Sequence, residues 1–444
     1  MKCMRIFFGV VFCFSSLSAS AERPRILSFD GEGRIEWGNV LSHNYCGIQH
    51  TEILTGVWSP VPALHLWNIP ISNQAASAVI PLSKTTSSRL FFRVVSSESE
   101  LPAGPVVGVH NSSKPNMLQQ LGARMSRVII HDQAMAAARQ AMDAGETPVY
   151  FEDLDVLVDL GIVPVVTLRW PVNPGEPGPD PDRVPTGQDR EDCLELVEWF
   201  LLETAGRVNH VAINNEPLGG PGRYPQDQME DGFAWMASVA EHINVLRDTR
   251  PELDHLQVIM PVQILSGYLD GTASSSAVAK VDALLDIGIA HGDLLDLHLN
   301  VESIEEMKAK LAFLTGLSDV PVVSLEWSQA HFSDEWRAEP ADPRFGINRS
   351  NNDVILAAYE NPMSAEDWAA FIAPAPYDPH FLSQAVAVMG AYGVRLAAYA
   401  GAWQYGNPRF DIVALLANHT VGGNTPNEPF YTCFRNLHWD DHEE

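Results

Sequence analysis

Basic residues are scarce in this chain. Its 28 lysines and arginines face 56 aspartates and glutamates, a formal charge of −28. Nucleic-acid binding needs clustered Lys and Arg to displace counterions, so that class is excluded. Attraction to an anionic membrane surface is excluded on the same ground. Anionic ligands are disfavoured as well, unless a local basic pocket exists inside the negative field. Cysteine is also sparse. Cys3 and Cys13 lie in the first 21 residues, which leaves Cys46, Cys193 and Cys433 at scattered spacings. That is neither a disulfide framework nor a zinc pattern. Beyond residue 21 no run reaches the roughly 18 apolar residues that a membrane span requires. No G-x-G-x-x-G turn follows a strand candidate, and there is no P-loop and no long repeat, which removes the common nucleotide-binding open sheets.

What is present begins with MKCMRIFFGVVFCFSSLSASA. Lys2 and Arg5 form a short basic region, Ile6 to Phe14 an apolar core too short to span a bilayer, and Ala19-Ser20-Ala21 a small-x-small cleavage pattern. This predicts a signal peptide at residues 1–21 and a soluble protein that is secreted or periplasmic. The remaining composition, 46% hydrophobic and 19% charged, is that of a globular protein.

Residues 22–98 carry short alternating runs (ILSFD, RIEWG, AVIPL, LFFRVV) broken by DGEG, Pro and Ser, which predicts a small all-β module. SSESELPAG, residues 96–104, reads as a linker. From 105 to 410 the pattern changes. Eight short apolar runs are predicted strands: Val106–Val109, Ser126–Ile130, Ile162–Leu168, Val208–Ile213, Leu256–Met260, Leu294–Leu299, Val320–Leu325 and Arg395–Ala398. Each but the last is followed by a helix-period segment. Continuous apolar strands alternating with helices over about 300 residues predict a (β/α)8 barrel, a TIM barrel. Residues 411–444 would form a C-terminal extension.

Such barrels place their chemistry at the C-terminal ends of the strands. Here those ends are polar, titratable or aromatic. Strand 1 ends in His110 and Asn111, and strand 2 carries Arg127 at its opening and ends in His131 and Asp132. Strand 3 ends in Arg169 and Trp170, strand 4 in Asn214, Asn215 and Glu216, and strand 5 near Gln263. Strand 6 ends in His298 and Asn300, strand 7 in Glu326 and Trp327, and strand 8 near Trp403. Glu216 and Glu326 would face each other across the mouth. Two carboxyl groups in different environments, one protonated and one ionised, are what glycoside hydrolysis requires. Trp170, Trp327 and Trp403 would offer indole faces to sugar rings. His110, His131 and Asp132 are candidate subsite residues. Asp296 and His298 have a metal-site spacing, but no H-x-H on strand 1 completes it, so no metal and no cofactor are expected.

With VAINNEPL at the end of strand 4 and SLEWS at the end of strand 7, residues 105–410 resemble the clan A glycoside hydrolases, which are retaining enzymes on this barrel. The resemblance implies Glu216 as acid/base, Glu326 as nucleophile and Asn215 on the sugar 2-hydroxyl. It further implies His298 beside the nucleophile, Arg127 as its support on strand 2, and Trp403 as a sugar platform. The partner would be a poly- or oligosaccharide. The alternative is a non-catalytic carbohydrate-binding protein on a degenerate barrel, which would keep the tryptophans and lack the carboxylate pair.

Overall fold

A computed structural model describes residues 105–110, 114–170, 183–219, 223–329, 334–378, 380–404, 408–417, 420, 425–428 and 430–437. It also describes the backbone of strands between residues 25 and 97. The expected signal segment, residues 1–21, lies outside the described residues, as do Asn111 and most of the Gly-Pro-rich loop after strand 3. The chain divides into two compact units, one of residues 1–104, 384–393 and 439–444, the other of residues 105–383 and 394–438.

In the first unit, Arg25–Phe29, Arg34–Gly38 and Ala75–Val79 form an antiparallel sheet. Tyr45–Thr51 pairs antiparallel with Phe91–Ser97, Ser59–Pro60 and Ile69–Pro70 in another. Arg25–Phe29, Arg34–Gly38 and Phe91–Ser97 fall on the runs ILSFD, RIEWG and LFFRVV, and AVIPL overlaps Ala75–Val79 by two residues, whereas no run marks Tyr45–Thr51, Ser59–Pro60 or Ile69–Pro70.

The second unit is the (β/α)8 barrel. Its strands are β1 (Val106–Val109), β2 (Met125–His131), β3 (Val163–Arg169), β4 (His210–Ile213), β5 (Gln257–Val262), β6 (Leu294–Leu297, continued by Leu299–Asn300), β7 (Val322–Ser328) and β8 (Leu396–Tyr399). Every neighbouring pair is parallel, and β8 pairs with β1 to close the ring. Helices Ser275–His291 and Ile304–Leu317 start at Ser274 and Ser303, whose side chains accept from the backbone N–H groups of Ala277 and Glu306; such serine caps satisfy otherwise orphaned donors. No described helix is long and apolar enough to cross a membrane.

Alternation along each strand decides which side chains face the barrel axis. Met125, Val165, Ala212, Ile259, Leu294, Val323, Leu325, Leu396 and Ala398 form one buried cluster, with Val106 and Val163 against it. Two residues further toward the C-terminal end of each strand, the same parity brings Gly108, Arg127, Thr167, Asn214 and Asp296 inward. A further step brings His110 and His298. Gly108 is a close approach between strands. A Cβ there would stand 1.9 Å from the Met125 carbonyl oxygen, so β1 fits against β2 only without a side chain.

Two breaks in regularity shape the mouth. In β6 the pairing stops at His298 and resumes at Leu299. In β7 the register slips by one residue between Ser324 and Trp327 relative to β8. It slips by the same residue relative to β6, from Asp296↔Val323 to Leu299↔Trp327. β7 therefore carries a bulge at Glu326, a device that re-aims a side chain.

Residues 411–438, set apart in sequence as an extension, group with the barrel. Phe430 and Phe434 are buried, and Phe434 lies against Tyr399 with ring centroids 5.8 Å apart. After β7, helices Asp334–Ala338, Asn351–Glu360 and Ala365–Ile372 build a small core of Trp336, Ile355, Trp368 and Phe371, with Ile412 and Ala417.

Candidate active site

Backbone geometry delivers both carboxylates to the mouth. Asn214, immediately after β4, has φ 70, a left-handed conformation that a short amide side chain tolerates. Its own Oδ1 accepts the Asn215 N–H at 2.5 Å. The chain turns there and presents Asn215 and Glu216, and Pro217 prevents the strand from resuming. Gln263, at the end of β5, pins the turn from beyond. Its Oε1 accepts the Leu218 N–H at 2.8 Å, and its Nε2 donates to the Gly219 carbonyl at 3.0 Å. On the other side, the bulge points Glu326 inward next to Leu325.

Between them lies a buried network centred on Arg127, which has no exposed side-chain surface. Its Nε donates to Thr167 Oγ1 at 2.8 Å and its Nη2 to Asn215 Oδ1 at 2.7 Å. Its Nη1 donates to the Leu325 carbonyl and to His110 Nδ1, each at 3.3 Å, and stands 3.9 Å from Glu326 Oε2. Because His110 Nδ1 accepts, the neutral ring carries its proton on Nε2, 3.8 Å from Glu326 Oε2. Asn300 Nδ2 donates to Glu326 Oε1 at 2.9 Å, and Ser328 Oγ donates to Asn300 Oδ1 at 2.8 Å. The serine fixes which way the Asn300 amide faces.

His298 occupies the break in β6. Its Nδ1 lies 3.1 Å from Glu216 Oε1 and 3.6 Å from Glu326 Oε2, and its Nε2 lies 3.2 Å from Asp296 Oδ2. Asp296 is buried, and its other oxygen accepts the Leu325 N–H at 2.8 Å, so it also caps the interrupted ladder. Burial alone would disfavour the His298 imidazolium. Asp296 and Glu326, with the hydrogen bonds to Asp296 and Glu216, outweigh it and push the ring up to about 10. Burial likewise works against ionised Asp296, but His298 and Arg127 hold it below the usual carboxylate range. His110 goes the other way. Burial, with Arg127 and His298 nearby, brings it down to about 4 against the pull of Glu326.

These two histidines set opposite limits on stability. The raised His298 contributes stability that is complete below about 6.5 and lost as pH rises through about 10. The depressed His110 contributes stability present above about 6.5 and lost as pH falls through about 4. Urea unfolding of the wild type should therefore show a decline on both sides of pH 6.5. His298→Gln should flatten the alkaline limb; an alkaline limb of unchanged slope in that variant would refute the assignment.

Of the residues singled out in sequence, Glu216, Glu326, Asn215, His298 and Arg127 come together. One oxygen of each glutamate and a ring nitrogen of His298 lie within 4.8 Å of one another. That trio has the composition of a cation site, and the buried Arg127 guanidinium, 3.9 Å from Glu326 Oε2 and 3.4 Å from His298 Nε2, already supplies positive charge beside it.

Two tryptophans depart from expectation. Trp170 and Trp327 are fully buried and present no face to the mouth. Trp170 follows inward-facing Arg169, so it points outward, edge-on to Trp235 at 5.0 Å. The bulge does the same for Trp327, which meets Tyr399 edge-on at 4.9 Å. His131 is half-buried at the start of helix Asp132–Asp143, and burial and Arg169 lower its pKa. Among the described residues it makes no hydrogen bond or ion pair with either glutamate. Trp403 is half-buried after β8, and the Lys114 ammonium lies 3.4 Å from its ring centroid. Sequence reasoning missed Thr167, Asn300 and Ser328 as network members and treated Asp296 only as a metal-site candidate. Counting two residues outward from the apolar core positions finds Thr167 and Asp296; nothing in the pattern marks Ser328.

No protein-family model matches the chain, and no curated protein matches it. Among solved structures it is similar to a family 39 glycoside hydrolase from the gut symbiont Bacteroides cellulosilyticus WH2, at 12% identity over 91% of this chain and 79% of that chain, with a TM-score of 0.41. It is also similar to a beta-glucosidase from Exiguobacterium marinum, at 11% identity over 74% of this chain and 86% of that chain, with a TM-score of 0.47. A beta-glucosidase from Thermotoga maritima is similar at 11% identity over 72% of this chain and 84% of that chain, with a TM-score of 0.43.

Proposed function

We propose that this chain is a retaining glycoside hydrolase acting on a poly- or oligosaccharide. The observation that carries the reading is the approach of Glu216 and Glu326, with an oxygen of each inside 4.8 Å. Retaining enzymes hold their two carboxyl groups about 5–5.5 Å apart, whereas inverting enzymes leave about 6.5–9.5 Å for a water molecule. The surroundings divide the roles. Glu326 is fixed by Asn300 on one oxygen and ringed by Arg127, His110 and His298 on the other, which suits a carboxylate that must hold still and attack. Glu216 meets His298 at its Oε1 and is otherwise less constrained than Glu326, which suits a group that exchanges a proton with substrate and water.

In the first step Glu326 attacks the anomeric carbon while Glu216 gives its proton to the departing glycosidic oxygen. In the second, Glu216 takes a proton from water, the hydroxyl attacks the anomeric carbon, and Glu326 leaves as carboxylate. Asn215 has its Oδ1 committed to Arg127, so its amide nitrogen is the group left for a substrate hydroxyl. The contrary reading, a carbohydrate binder on a degenerate barrel, expects tryptophan platforms without a carboxylate pair. The observed arrangement is closer to the reverse, since two of the three tryptophans are buried.

The test is hydrolysis of a panel of aryl glycosides and polysaccharides, with the first-formed anomer followed by NMR. Retention of configuration is expected. An inverted product, or no hydrolysis across the panel, would refute the reading.

A further inference from the structure

Resting on the reading of Glu326 as nucleophile, we propose that Ser328 is a positioning residue for the reaction: acting through Asn300, it sets the plane of the Glu326 carboxylate. The bulge that carries Glu326 is braced along its backbone. Asp296 Oδ1 accepts the Leu325 N–H at 2.8 Å, Arg127 Nη1 donates to the Leu325 carbonyl at 3.3 Å, and Ser324 Oγ donates to the Glu326 carbonyl at 3.3 Å. Those contacts fix where the side chain starts. They do not fix its last torsion, and the terminal torsion of a glutamate has broad wells rather than staggered ones.

Immediately beyond the bulge the ladder resumes. Leu299 and Asn300 pair with Trp327 and Ser328, and the Val301 N–H donates to the Ser328 carbonyl at 3.1 Å. Asn300 and Ser328 are direct partners in that register, so their side chains leave on one face. Ser328 Oγ donates to Asn300 Oδ1 at 2.8 Å, and Asn300 Nδ2 donates to Glu326 Oε1 at 2.9 Å. An ionised carboxylate only accepts. Asn300 must therefore offer it the amide N–H, which leaves the amide oxygen in need of a donor, and the serine hydroxyl supplies one. A hydroxyl bonded to an amide oxygen also polarises the N–H on the far side and strengthens its bond. With Oε1 tethered to an anchored amide, rotation about the last torsion is arrested, and Oε2 stays turned to Arg127, His110 and His298. Ser328 is fully buried. A buried hydroxyl costs free energy unless it is bonded, so packing alone does not call for one there.

The experiment is a double-variant cycle read by steady-state kinetics of the full chain on its best aryl glycoside. Ser328→Ala should lower kcat about tenfold and leave KM within about threefold, because misalignment of Glu326 is felt when it attacks and not when substrate binds. Asn300→Ala should lower kcat further. Adding Ser328→Ala to Asn300→Ala should cost less than about twofold more, since the serine has no route to Glu326 once the amide is gone. Asn300→Asp keeps an acceptor for Ser328 but turns a second carboxylate on Glu326, so it should lose more than Asn300→Ala. In Glu326→Ala rescued by azide, Ser328→Ala should change the rescued rate by less than about threefold. Urea unfolding checks that each variant is folded, and Asn300→Asp carries the test should Ser328→Ala not fold. A Ser328→Ala kcat within about twofold of the wild type, an undiminished loss in the Asn300→Ala background, or wild-type activity in Asn300→Asp would overturn the role. Hydrolysis by the wild type with any of those outcomes overturns the positioning role alone. No hydrolysis by the wild type overturns the hydrolase reading, and the positioning role with it.

Discussion

Glu326→Ala should lose at least about 10⁴-fold in kcat/KM on any substrate the wild type cleaves, the scale seen when a nucleophile is deleted from a concerted site. Azide should restore turnover, with a glycosyl azide of inverted anomeric configuration as product. The reasoning is geometric. Truncation opens a space bounded by Asn300 Nδ2, Arg127 Nη1, His110 and His298, all of which contact or face the carboxylate in the intact site. A small anion placed there meets the same donors and approaches the anomeric carbon from the side that Glu326 would have used. Glu216 remains to protonate the leaving oxygen, so the displacement proceeds once and stops. A retained azide product would instead assign Glu326 the acid/base role. Activity within tenfold of the wild type would remove it from the chemistry.

Much of this site is written in strand parity. From Val106, Met125, Val165 and Leu294 at the barrel core, counting by twos arrives at His110, Arg127, Thr167 and His298, and the same count sends Trp170 outward. The two glutamates are different, because each sits where regularity ends. Asn-Asn-Glu-Pro announces a break after β4, since proline stops the strand and asparagine tolerates positive φ. The break in β7 has no such mark. VVSLEWS reads as an uninterrupted strand, and alternation from Leu325 would send Trp327, not Glu326, toward the axis. Only the register against β6 and β8 reveals the additional residue. Trp327 is expected at the mouth because it stands at the end of the strand, and the bulge puts it in the packing layer instead. His298 is similar: a predicted continuous Leu294–Leu299 strand proves to be interrupted there. The polar chain from Ser328 through Asn300 to Glu326 joins residues on two strands, and a single sequence carries no signal for that.

Arg127→Met should destabilise the barrel by about 3–5 kcal/mol, the cost of leaving a buried charge without its partner, and should abolish activity. Arg127 is fully buried among Asn215, Thr167, His110 and the Leu325 carbonyl. Its removal strands Asn215 Oδ1 and weakens the compensation of Asp296 and Glu326. Methionine fills much of the volume, so the loss reports charge and hydrogen bonding more than a cavity. Two companions separate stability from chemistry. Arg127→Lys keeps a cation but lacks the planar fork that reaches several acceptors at once; it should recover part of the stability and little of the activity. Arg127→Met with Asp296→Asn removes one charge of each sign and should recover stability relative to the single variant, a coupling expected of residues in one network. Activity should stay lost in the double variant, because Asn215 and Glu326 have lost the group that places them. Urea unfolding and kcat/KM on the best panel substrate measure the two effects. If Arg127→Met unfolds within about 1 kcal/mol of the wild type, the network is not what holds the mouth, and the positioning role assigned to Arg127 falls with it.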